Sequence, residues 1–121
     1  MTHMTDFCDL FPTLFTDEEG QFQPIVFECG PGWERVVYAL LHKLSHHGRT
    51  TGQFIQITQV KEKWGLLTVY HYGGDEETDR IIDEFEEVSL DTCEICGTTG
   101  AKRLNKVWIK TLCNACQVQK D

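Results

Sequence analysis

Four of the six cysteines fall into two Cys-x-x-Cys pairs, Cys93-Glu-Ile-Cys96 and Cys113-Asn-Ala-Cys116, with 16 residues between Cys96 and Cys113. A two-residue spacer lets both thiolates of a pair turn inward on one tight knuckle. Two knuckles then complete the tetrahedral sulfur shell that Zn²⁺ favours. Disulfides compete for the same residues, but i,i+3 bridges are strained and the chain shows no export signal. A redox Cys-x-x-Cys or an iron–sulfur cluster remains as an alternative. One zinc ion is expected, in a structural role, because a complete shell of four cysteines keeps no open position for water or substrate. Residues 93–121 are too few to build a sufficient apolar core, so metal binding should largely define their fold.

Other groups invite chemistry less strongly. Cys8 and Cys29 have no Cys-x-x-Cys partner and read as buried free thiols. Cys29 precedes a helix start that would stabilise a thiolate, yet no base is identified beside it. His42 and His46 are i,i+4 on one helix, without the Glu that an HExxH motif requires, and fall opposite its apolar stripe. Gly30-Pro31-Gly32 either presents backbone N–H groups to an anion or simply opens a helix with proline near its first position. At a hairpin tip, Lys61 and Lys63 beside Trp64 can hold a phosphate and stack a base, and Trp33 joins them as a ligand contact if the two tryptophans converge. Lys102, Arg103, Lys106 and Lys110, with Trp108, could contact nucleic acid from the knuckle. There is no Ser/His/Asp set, no P-loop and no purposeful carboxylate pair, so a catalyst is not expected.

The charge is unevenly spread. Residues 1–92 hold 6 basic and 17 acidic side chains, a balance of −11, whereas residues 93–121 carry +3, giving −8 in all. Four thiolates and one Zn²⁺ add two negative charges, which brings the tail to +1 and the chain to −10. Bulk nucleic acid repels such a molecule and basic surfaces attract it. The densest negative run lies between Asp75 and Asp91, where nine acids are offset only by Arg80. Asp79, Asp83, Glu84, Glu86 and Glu87 form a strip that is either a solvated face or an imitation of nucleic-acid phosphates, fitted to a basic groove on another protein.

Two resemblances attach to these residues. Cys93-x-x-Cys96-Gly97-Thr98-Thr99, Trp108 and Leu112-Cys113-Asn114-Ala115-Cys116 resemble a GATA-type zinc finger. In that family a helix and a basic tail follow the finger and contact DNA, whereas this sequence ends five residues after Cys116. Cys29-Gly-Pro-Gly-Trp33, the run from Gln59 to Tyr70, an acidic helix and a terminal Cys-x-x-Cys-Gly are similar to small uncharacterised zinc-knuckle proteins of phages and prophages. That likeness covers roughly residues 24–116. It implies a mobile-element protein in a bacterial cytoplasm and brings no catalytic residues.

The elements that must position these groups follow from periodicity. At 121 residues, 40% hydrophobic and 25% charged, the composition is that of an ordinary globular chain. No stretch approaches the length of a membrane span, and the first ten residues lack the layout of a secretory signal. Phe7, Leu10, Phe11, Leu14 and Phe15 suggest one short helix ending near Thr16 to Gly20. Trp33, Val36, Val37, Leu40, Leu41 and Leu44 give helical spacing over 32–47, with Gly48 as its stop. Residues 54–60 and 66–72 read as a hairpin joined through Lys61 to Gly65. Residues 75–90 read as an amphipathic helix burying Ile81, Ile82, Phe85 and Val88. The expected fold is α+β, in helix–hairpin–helix order on a small antiparallel sheet with a C-terminal four-cysteine zinc knuckle. Residues 1–92 form an acidic α+β domain and residues 93–121 the knuckle. A third strand is needed, from 21–28 or from around 107–109.

The function expected from all this is binding: a non-catalytic phage or prophage zinc protein that engages and inhibits a host defence or nucleic-acid-handling protein through its acidic surface. A nucleic-acid-binding regulator using the basic knuckle, and a protein sequestering a phosphorylated nucleotide, are the alternatives.

Overall fold

The computed structural model describes residues 4–105 and 109–119. The expected helix–hairpin–helix order is present in an α+β fold, with corrections at its edges. Pro12 has no N–H to continue a helix, so the N-terminal segment is three short pieces rather than one helix: a 3₁₀ turn at Met4–Asp6, α1 at Phe7–Leu10 and a 3₁₀ turn at Pro12–Phe15. Phe7, Phe11, Leu14 and Phe15 nonetheless reach the core. Only Leu10 of that apolar set is exposed.

A 3₁₀ turn at Pro31–Trp33 leads into α2, Glu34–Thr51, which buries the stripe Val36, Val37, Leu40, Leu41 and Leu44. It runs through Gly48 and ends instead at Gly52, whose left-handed backbone (φ 73°) returns its N–H to the Gly48 carbonyl. The hairpin is β2, Ile55–Lys63, and β3, Leu66–Gly73. Its strands are longer and its connection shorter than periodicity suggests. Trp64 (φ 58°) and Gly65 (φ 79°) alone make the turn, with both backbones left-handed as a tight two-residue hairpin requires. The Gly65 N–H is held by the Glu62 carboxylate at 2.8 Å.

The third strand comes from the earlier of the two expected stretches. β1, Phe27–Glu28, pairs parallel with β2, so the sheet is mixed rather than purely antiparallel. A bulge lies between Ile57 and Gln59. Ile55, Ile57, Val60, Leu67 and Val69 are buried, and helix α3, Glu76–Ser89, packs against β3 and α2. Asp75 and Thr78 open α3 with a reciprocal capping box, and the contact with His47 and the Thr78 N–H together hold the Asp75 carboxyl down, at about 2.

α3 buries Ile81 and Ile82, as its spacing demands, together with Thr78 and Ser89; Val88 is exposed instead. The reason is the edge of the sheet. Ser89 Oγ accepts the Leu67 N–H at 3.0 Å and the Glu86 carboxylate accepts the Val69 N–H at 3.1 Å. Polar groups of the helix thus satisfy the open side of β3, which would otherwise be available to another strand.

After α3, strands β4 (Lys102–Asn105) and β5 (Ile109–Leu112) form a separate antiparallel pair, followed by α4, Asn114–Gln119. They do not join the larger sheet. Among the described residues, no helix is long and apolar enough to cross a membrane.

Candidate metal centre and its dock

The two Cys-x-x-Cys knuckles meet. One ligand sulfur from each of Cys93, Cys96, Cys113 and Cys116 lies within 4.8 Å of every other. The first knuckle is a tight turn: Cys93 N–H donates to the Thr98 carbonyl and Gly97 N–H to the Cys93 carbonyl, each at 2.9 Å. The second lies at the start of α4, where Gln117 N–H reaches the Cys113 carbonyl.

Cys96 and Cys113 sulfurs are 3.6 Å apart, far beyond a disulfide bond. A tetrahedral site with Zn–S bonds of about 2.3 Å sets its sulfurs about 3.8 Å apart. The four sulfurs therefore fit a single metal ion. All of the cysteines are free thiols.

The surroundings favour thiolate in the first knuckle. The Thr98 hydroxyl and its N–H draw the Cys96 thiol down to about 6, with the Cys113 thiol assisting. Burial opposes ionisation of Cys93, but backbone donors from Cys113, Cys96 and Ile95 outweigh it and lower its value. Cys116 goes the other way, pushed up to about 12 by burial and the crowded neighbouring thiols. Four sulfurs this close cannot all ionise without a cation between them, and a divalent metal supplies that charge.

Comparison with protein-family models, with curated proteins and with solved structures finds no match.

The centre is not an appendage on a free hinge. Glu94, between the two cysteines of the first knuckle, is only 7% exposed and is the main point of attachment. Its carbonyl accepts the Gly32 N–H at 2.7 Å, its carboxylate accepts the Gly30 N–H at 2.9 Å, and its own N–H donates to the Thr111 carbonyl at 3.0 Å. A Cβ on Gly32 would sit 2.1 Å from the Cys93 carbonyl oxygen, and one on Gly30 2.5 Å from that of Glu94. Only glycine permits backbones to approach this closely.

The hairpin tip forms the other half of the dock. The Thr111 hydroxyl donates to the Gly65 carbonyl at 2.6 Å. Lys110 pairs with Glu62 at 2.7 Å and lies 3.8 Å from Glu94. Burial disfavours both charges of the closer pair. Their mutual contact prevails, so Glu62 stays below the ordinary carboxylate range and Lys110 above the ordinary ammonium range. Lys110 is thereby committed to the dock.

Several expected contacts change meaning. Trp33 is fully buried and donates its indole N–H to the Thr92 carbonyl at 2.9 Å, so its ring belongs to the core and cannot face a ligand beside Trp64. Trp64 itself is 61% exposed at the tip, with Lys63 exposed and Lys61 half-buried. Gly30-Pro31-Gly32 receives the knuckle, the N–H groups of its two glycines being spent on Glu94. Cys29 is half-buried, and burial, then Glu94 and Glu62, push its thiol up to about 12, which is unsuited to a nucleophile. His42 and His46 are exposed, with His42 stacked on Tyr38. Lys102 and Arg103 lie on β4, while Lys106 and Trp108 fall outside the described residues.

The acidic strip also resolves. Glu86 turns back to cap β3, where burial raises its carboxyl despite the Val69 N–H. Glu84 pairs with Lys43 at 3.0 Å, and Asp79 contacts His71 at 3.2 Å while staying largely exposed. Asp83 and Glu87 are exposed with no ion pair among the described residues. Glu76, not among the expected contacts, joins them: 76, 79, 83 and 87 are spaced three, four and four apart and line up along one side of the helix.

Sequence reasoning missed the role of Glu94, Glu62, Thr111 and Thr92. One signal was present, an acid placed inside a knuckle that gathers four negative sulfurs, which calls for donors close by.

Proposed function

We propose that this chain is a non-catalytic zinc protein of a phage or prophage, which binds and inhibits a host defence or nucleic-acid-handling protein with a basic surface. The observation that carries the reading is the stripe of Glu76, Asp79, Asp83 and Glu87 on α3. Twelve residues of helix hold four carboxylates over about 16 Å, a line of regularly spaced charge that complements a groove built for a phosphate backbone. The zinc ion, one per chain, serves as a clasp: four cysteines complete its shell and leave it no substrate position.

The test is capture of a host protein by the metal-loaded chain, with and without nuclease, compared with the D83K/E87K variant. Both positions are exposed, so the variant should fold and keep its metal. A nuclease-resistant partner, weakened by salt and lost on charge reversal, is expected. A partner that disappears with nuclease, or that binds the reversed variant equally well, would overturn this function. Metal content is read separately: about one equivalent of zinc and no visible iron–sulfur colour are expected.

A further inference from the structure

The four cysteines are unequal in exposure. Cys93 is 0% and Cys116 5% exposed, whereas Cys113 is half-buried and Cys96 exposed. Each knuckle thus contributes one sheltered and one outward sulfur. The outward two, Cys96 and Cys113, are 3.6 Å apart and belong to different knuckles.

Cys96 also lines a surface groove that it shares with Pro31, Gly32, Glu34, Arg35, Gly97 and Thr98. Of the four cysteines, Cys96 is the one most open to a small reagent from solvent. The sheltered side is held differently: Glu94, next to Cys93, is fastened by backbone contacts to Gly32 and Thr111.

We propose that Cys96 and Cys113 are a peroxide-responsive pair, at which a hydroperoxide opens the metal clasp by joining the two knuckles through a disulfide. This rests on the zinc reading above. Cys96 thiolate attacks the peroxide oxygen, forming a sulfenic acid and releasing hydroxide; Cys113 thiolate then attacks that sulfur, forming the S–S bond and expelling a second hydroxide. Two sulfurs lose two electrons in total, hydrogen peroxide takes both, and two protons from solvent complete two waters. The sulfurs must close from 3.6 Å to about 2.05 Å, a shift that removes two of four ligands and releases the ion. The competing Cys93–Cys96 link would have to use the fully buried cysteine beside the anchored Glu94.

The experiment uses the full chain loaded with zinc, its metal content measured first. A chain that binds no metal sinks the zinc reading itself, and this inference with it. With about one zinc bound, hydrogen peroxide is added while a chromogenic chelator follows release and non-reducing tryptic mapping follows the thiols. Cys93 and Cys96 lie between Arg80 and Lys102, and Cys113 and Cys116 between Lys110 and Lys120, so a cross-knuckle disulfide joins two peptides and a link within one knuckle does not. Zinc release in step with a Cys96–Cys113 link, assigned by fragmentation and reversed by a thiol reductant, is expected. A link within either knuckle, prior oxidation of Cys8 or Cys29, a Cys93–Cys116 link, or zinc retained after oxidation would overturn the assignment.

Discussion

The two ends of the chain reach order by different means. The body gathers a continuous cluster from Phe7 through Ile82, with Trp33, Leu40, Leu41, Leu44, Ile57, Val60 and Leu67 wholly out of solvent. The knuckle's own cluster is Cys93, Ala101, Leu112 and Cys116, and two of those four belong to the set of sulfurs that could hold a metal. Apolar burial at about 25 cal/mol per Å² can account for the first region and not the second. Where the hydrophobic term is too small, a cross-link must replace it, and the candidate here is the four-cysteine cluster with the metal it could hold.

The comparison is broken or sharpened most strongly by removing the metal. Structural zinc contributes on the order of 10–16 kcal/mol of apparent binding energy, and that is folding energy where no site exists in the unfolded chain. Stripping the proposed zinc with a strong chelator should abolish amide protection across the described part of residues 93–119, while the core of α2, β2 and β3 stays protected. Hydrogen exchange with and without chelator reads this directly. Loss of body protection to the same extent would show one cooperative unit and end the contrast.

Trp33→Ala attacks the other side of the comparison. Removing a wholly buried indole should cost about 3–5 kcal/mol, a large part of the roughly 5–15 kcal/mol available to a domain. Denaturant unfolding should register the loss, while zinc content remains near one per chain. A variant that keeps its stability but cannot hold metal would make Trp33 chiefly part of the dock.

Gly32→Ala addresses the seam between the two regions. A methyl 2.1 Å from the Cys93 carbonyl forces the backbones apart, at a cost of about 1–3 kcal/mol. Exchange should rise at Gly30, Gly32 and Glu94, with little change in the middle of α2. An unchanged pattern would mean that the close approach is not what seats the knuckle.

These positions also mark how far the sequence could be read. The Cys-x-x-Cys spacing named all four members of the sulfur cluster, and the apolar stripes of α2 and α3 found Leu40, Leu44, Ile81 and Ile82 because burial leaves a period behind. Runs of β-forming residues located the hairpin, with a longer connection than the real one, and amphipathic spacing located α3. The dock left no such trace. Glycines at 30 and 32 look the same whether they open a helix, bind an anion or admit another backbone, and the last is settled by Glu94, a partner far along the chain. Glu86 and Glu84 read as members of one acidic strip, yet one lies toward β3 and the other toward Lys43; their roles depend on how α3 is turned against its neighbours. Trp33 and Trp64 are the same residue type beside similar glycines, one in the core and one at a turn, and composition alone does not separate them.

The smallest expected effect concerns the Lys110–Glu62 pair, which joins knuckle to hairpin tip without contributing a ligand. With side chains 31% and 17% exposed, the pair is sheltered enough to matter and open enough to remain modest, about 1 kcal/mol in a double-mutant cycle of Lys110→Gln and Glu62→Gln. The pH dependence has two limbs. Glu62 is held below its ordinary range, so its contribution is complete above the unfolded carboxylate value and is lost as pH falls through the lowered one; Lys110 is raised, so its contribution is complete below the unfolded ammonium value and is lost as pH rises through the raised one. Acid also protonates the thiolates of the cysteine cluster, which makes the alkaline limb the cleaner measurement. The coupling should be present at neutral pH and vanish above the lysine's raised range. A coupling that persists there would assign the contact to packing rather than charge, and the seam between core and clasp would then rest on Glu94 and the two glycines.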